Sequence, residues 1–68
     1  MTLKNAMRYI PSTELVTVSD WATADIYIDR ETAATIGWGS QYKQHMAKEV
    51  LSMSVGRDYH DMIILVRA

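Results

Sequence analysis

Residues 62–66 read Met62-Ile63-Ile64-Leu65-Val66, five apolar side chains in succession, and no other stretch restricts the fold as tightly. Neighbouring side chains of a strand point to opposite faces, so Ile63 and Leu65 face one way and Met62, Ile64 and Val66 the other. Both faces of such a strand want cover. One layer can come from the chain's own helix. The other face is left to solvent, to the segment 30–47, to a second copy or to a host partner.

Length makes the question sharper. The chain has 68 residues and no cysteine, and a domain of about 60 residues buries only roughly 60% of its unfolded surface. Small chains usually add a disulfide, a metal or a partner subunit. Without cysteine, disulfides and thiolate zinc sites both fall away, so the sequence points to a homo-oligomer.

The rest of the chain supplies the other layers of one domain, residues 1–68. Thr2 can cap a helix in which Leu3, Ala6, Met7 and Ile10 form one stripe, with Lys4, Asn5 and Arg8 outside it. Pro11 ends it. Residues 14–19 and 25–29 alternate as strands, the second with Ile26 and Ile28 opposite Asp25, Tyr27 and Asp29. Residues 30–39 fit one helical turn capped by Gly37, a loop or a short irregular strand. Ser40 is placed to cap a short helix through Ala47. Residues 49–55 then alternate again, and a loop of about five residues leads into the closing strand.

Strands joined in consecutive pairs by short connections favour antiparallel pairing. The expected fold is α+β: an N-terminal helix on a four-stranded, mainly antiparallel sheet, with a short second helix between strands 2 and 3. Its core would hold Leu3, Met7, Ile10, Val16, Val18, Ile26, Ile28, Leu51, Met53, Val55 and one set from 62–66. Thr17, Ser19, Tyr27, Ser52, Ser54 and the other set would form the second face. Met62, Ile64 and Val66, or else Ile63 and Leu65, would meet a second layer or subunit. Trp21 and Tyr27 join Met62, Ile64 and Val66 as the expected interface, Trp21 acting either as a lid or as an anchor.

Charge excludes some functions. Seven basic and eight acidic residues give a net charge of −1, with no run of either sign, which disfavours a sequence-independent grip on DNA. The longest apolar run is far below the ~20 residues that span a bilayer. No export signal is recognisable, so the expected location is the cytoplasm.

The residues Leu3-Lys4-Asn5-Ala6-Met7-Arg8-Tyr9-Ile10-Pro11, then Glu14-Leu15-Val16-Thr17-Val18, then Glu49-Val50-Leu51-Ser52-Met53-Ser54-Val55 before the closing run, resemble small accessory proteins of phages, prophages and conjugative elements. In these a helix ending in a proline turn precedes a strand, and a Glu-Val strand precedes a final hydrophobic one. This chain departs from them in residues 30–47, which are longer and carry Trp38. The resemblance implies a mobile-element origin and a host-interaction role such as blocking a defence system. It carries over no catalytic residue.

Three candidate sites remain. Gly37-Trp38-Gly39-Ser40 with Lys43 could present backbone N–H groups, a stacking ring and a cation to a signalling nucleotide; the plainer reading is two helix caps and a packed ring. Asp58-Tyr59-His60-Asp61 could form a metal or acid–base cluster but lacks further ligands, and reads better as a hairpin loop. His45 reads as a packing residue. The expected function is non-enzymatic: stoichiometric binding of a host defence protein or a signalling nucleotide, with no cofactor or metal. The alternatives are a regulatory or structural interaction module of the phage and, third, a small metal-dependent enzyme.

Overall fold

Two hairpins make the sheet. In the computed structural model, which describes residues 1–56 and 61–67, β1 (Leu15–Asp20) pairs antiparallel with β2 (Ile26–Thr32), and β3 (Glu49–Val55) antiparallel with β4 (Asp61–Arg67). The hairpins meet along a parallel seam between β1 and β4, giving the order β2-β1-β4-β3. The sheet is therefore mixed and mostly antiparallel, and the closing run lies at its centre. The α+β fold expected from the sequence is the one observed.

One face carries the helices α1 (Leu3–Met7) and α2 (Ala33–Trp38), followed by the 3-10 turn Ser40–His45. Such short helices leave most of their backbone groups unpaired internally, and the chain satisfies them from elsewhere. Thr2 Oγ1 accepts from Asn5 N at 3.3 Å. Leu3 N and Lys4 N donate to the carbonyls of Lys48 and Met46 at 2.9 and 3.0 Å. At α2, Thr32 Oγ1 accepts from Thr35 N at 3.2 Å, while Ala33 N and Ala34 N donate to the carbonyls of Glu14 and Ser12 at 2.9 and 3.0 Å. Each helix start is thus tied to a connection far along the chain, which fixes the helical layer on the sheet.

Between the layers lie Leu3, Ala6, Ile10, Ala33 and Ile36 from above and Val16, Val18, Ile28, Ile64 and Val66 from below, all buried. Met7, Tyr27, Tyr42, Met46, Val50 and Met62 pack around this core. The set of β4 that faces inward is therefore Met62, Ile64 and Val66. Ile64 and Val66 have 0% exposure, so these expected interface residues are inside the fold. Their neighbours Ile63 and Leu65, paired with Thr17 and Ser19, lie on the open face and are half-buried.

Other placements differ from the alternation pattern. β2 is bulged twice against β1, and each bulge shifts which face a side chain takes. Ile26 consequently pairs with Ser19 on the open face and is 59% exposed. Tyr27 packs on the core instead of the second face. Leu51, Met53 and Val55 are exposed by 39%, 38% and 56%: Leu51 falls at the bulge between Val50 and Ser52, while Met53 and Val55 pair with Ile64 and Met62 but lie on an edge strand of which only Val50 packs against the core.

Candidate functional site

A groove of about 880 Å³ runs between α1 and the α2–3-10 segment. Lys4 and Arg8 stand four residues apart on α1 and its last turn, which places them on one helical stripe, and both line the groove. Opposite them stand Gly37, Trp38, Gly39, Ser40 and Lys43, over apolar surface from Met7, Ala33, Ile36, Met46 and Ala47. All five residues singled out for a ligand come together here. Lys4 and Arg8 were visible in the sequence as the polar side of the first helix; only folding brings that side against residues 37–43.

Among the described residues, three cations and no carboxylate line this groove. The ion pair found among the described residues, Arg67 with Glu49 at 3.6 Å, does not involve Lys4, Arg8 or Lys43. Trp38 is 90% exposed, so its indole contributes little to packing and its face is open to a planar group.

The backbone plays a different part from the one expected. Gly39, not Gly37, terminates α2, and its N–H donates to the Thr35 carbonyl at 2.8 Å. Gly39, not Ser40, is also the N-cap of the 3-10 turn, which begins at Ser40 and has no side-chain cap. Gly39 is required for space: a Cβ there would stand 2.9 Å from Thr35 O and 3.2 Å from Tyr42 Cδ2. The glycine allows a close turn from α2 into the next element, and its own amide is spent on Thr35 rather than offered to an anion.

A second group of polar side chains closes the end of the β1–β2 hairpin. Asp20 Oδ1 accepts from Ala22 N at 2.8 Å and Thr23 N at 3.0 Å, and Oδ2 from the Tyr27 hydroxyl at 2.9 Å. The two backbone N–H groups, then the tyrosine, hold the Asp20 carboxyl below its ordinary range, and the same bond raises Tyr27. The Tyr27 ring stacks on His45, with centroids 4.9 Å apart, and Lys48 Nζ lies 4.8 Å from the ring centroid. Burial, then the Lys48 charge, pushes the His45 pKa down. These contacts make the cluster a packed knot that shapes the turn carrying Trp21, which is 56% exposed and donates its N–H to the Val66 carbonyl at 3.0 Å.

Among the described residues no three His, Asp or Glu side chains gather as metal ligands. Of the Asp58-Tyr59-His60-Asp61 cluster, residues 58–60 lie outside the described residues. No helix among the described residues is long and apolar enough to cross a membrane. Comparison with known protein families, curated proteins and solved structures finds no match.

Proposed function

We propose that the protein acts by stoichiometric binding, and that the groove holds a phosphorylated small molecule with an aromatic base. What carries this reading is the convergence of Lys4, Arg8 and Lys43 on a carboxylate-free groove with the open indole of Trp38 at its rim. Stacking on an aromatic face contributes about 1–3 kcal/mol per base, and a phosphate gains charge-assisted hydrogen bonds from the cations. Among the described residues the lining supplies charge and stacking but no histidine or carboxylate to shuttle protons, which favours holding a ligand over transforming it. In the mobile-element setting that the sequence resembles, such a protein would act against host defence by sequestering a signalling nucleotide.

A second reading has its own observation. Exposed Trp21 and Ile26 and the half-buried Ile63 and Leu65 of the open face suit contact with a protein, either a host defence protein or another phage component. Aromatic residues such as Trp are enriched at binding hot spots.

Titration with mono-, di- and cyclic dinucleotides, followed by the fluorescence of Trp38 in a Trp21→Phe background, tests the first reading. Binding should quench the indole, weaken as salt rises, and vanish in Trp38→Ala and Lys43→Ala with the melting temperature unchanged. Unaltered fluorescence and melting across the series would discard the nucleotide and leave the protein-contact reading, which co-purification addresses.

A further inference from the structure

The two edges of the sheet are built differently. β2 is guarded: it carries Asp29, Arg30 and Glu31, its pairing with β1 is bulged twice, and Arg30 sits at φ 49°. Charges, bulges and twist are the devices by which edge strands avoid pairing with other chains. Residues 50–55 of β3 carry no charge, and the strand's bulge against β4 lies between Val50 and Ser52, leaving 52–55 in regular pairing. The strand exposes Leu51, Met53 and Val55. At its start β3 already takes a strand-like partner, since Thr2 bridges Glu49 antiparallel and Val50 N donates to the Met1 carbonyl at 2.8 Å. Beyond Val50 its outer edge has no partner among the described residues.

We propose that this edge pairs antiparallel with β3 of a second copy, joining two four-stranded sheets into one of eight. The backbone direction allows it. Gly56 N donates inward to the Asp61 carbonyl at 2.8 Å, so strand alternation turns the N–H groups of Val55 and Met53 outward. The side chains match as well. A two-fold contact presents the same patch from both copies, and centring it on Met53 sets Leu51 across from Val55, Met53 across from Met53 and Ser52 across from Ser54. Every cross-strand pair is then apolar with apolar or serine with serine, with no like charges opposed. The occupant is a strand because unpaired backbone groups are what this edge offers, and it is a second copy because residues 51–55 complement themselves in this register.

Five paired residues make a short contact of about 17 Å, so association should depend on concentration. Native mass spectrometry and light scattering of the full chain from about 10 μM to about 1 mM should show a dimer that grows with concentration. Hydrogen exchange should show the Met53 and Val55 amides slowing as it forms. Met53→Lys should abolish the dimer with an unchanged circular dichroism spectrum; Val55→Lys repeats the test should the first variant unfold. A monomer throughout the range, a dimer that survives both lysines, or a dimer in which those two amides exchange freely overturns the proposal. The last two results would move the contact to the open face of the sheet.

Discussion

The two sides of β4 carry side chains of the same kind and meet opposite surroundings. Ile64 and Val66 are sealed beneath the helical layer with no exposure, whereas Ile63 and Leu65, one residue away, stay half-buried above Thr17 and Ser19. Hydrophobicity alone therefore does not decide which residues form the core. The side on which α1 and α2 dock decides it, and they are held there by backbone hydrogen bonds to residues 12, 14, 46 and 48. The covered side is a packed interior in which lost volume is felt directly; the open side is a central strand shielded only by its neighbours.

The sharpest way to break this contrast is urea unfolding of Ile64→Ala beside Leu65→Ala. A buried isoleucine cut to alanine costs about 2–5 kcal/mol, and the half-buried Leu65 should cost about half as much or less, since it leaves no enclosed cavity. Equal losses would mean that the open face is covered after all.

Next in size is the knot on the covered side. Asp20→Ala leaves two backbone N–H groups and the Tyr27 hydroxyl without their acceptor, so its denaturation midpoint should fall well below that of Asp25→Ala in the same turn. An equal pair would assign the turn's stability to backbone bonding alone.

A smaller effect should appear with pH. His45 has a lowered pKa in the fold, so the unfolded chain binds the proton first. Its contribution is fully present above the unfolded value of about 6.5 and is lost as pH falls through that value toward the lower folded one. Melting temperatures should decline across this interval, and His45→Phe, which retains a ring against Tyr27, should flatten the decline. Tyr27 has the reverse sense at the alkaline end: its raised pKa means stability is lost as pH climbs past about 10. A flat profile through both intervals would remove the knot from the stability of the covered side.

The smallest effect on stability should come from Trp38→Ala. An indole that is 90% exposed contributes packing worth less than about 0.5 kcal/mol, even though it belongs to the helical layer. A large drop in melting temperature would show that the ring folds back as part of the cover.

Much of this architecture can be read from residue order. Thr2 caps α1 as its type and position suggest, the alternation of Val16 and Val18 predicts their burial, and the closing run announces a strand flanked on both sides. What escapes is decided by events without a local signature. The bulges of β2 put Tyr27 on the core and Ile26 outside, and nothing in Asp25-Ile26-Tyr27-Ile28-Asp29 marks them. The parallel seam between β1 and β4 joins residues more than forty positions apart, a pairing that no short pattern encodes. At the groove, Trp38, Ser40 and Lys43 stand out as residue types, while Lys4 and Arg8 look like an ordinary solvated helix side until α1 is docked. The reading of Gly39 shifts for the same reason, since only the folded turn shows that its amide is spent on Thr35.

That seam also sets when the molecule can come into being. Among the described residues the β1–β2 hairpin and the β3–β4 hairpin share no other strand pairing, so residues 1–56 hold only half-finished layers until 61–67 slide between β1 and β3. Sheet closure is a long-range event, which slows folding relative to local contacts, and the core cannot seal by degrees from the beginning of the chain. Until β4 docks, Val16 and Val18 lack their paired neighbours Met62 and Ile64, so the closing run acts as the key that joins two loose ribbons into one sheet.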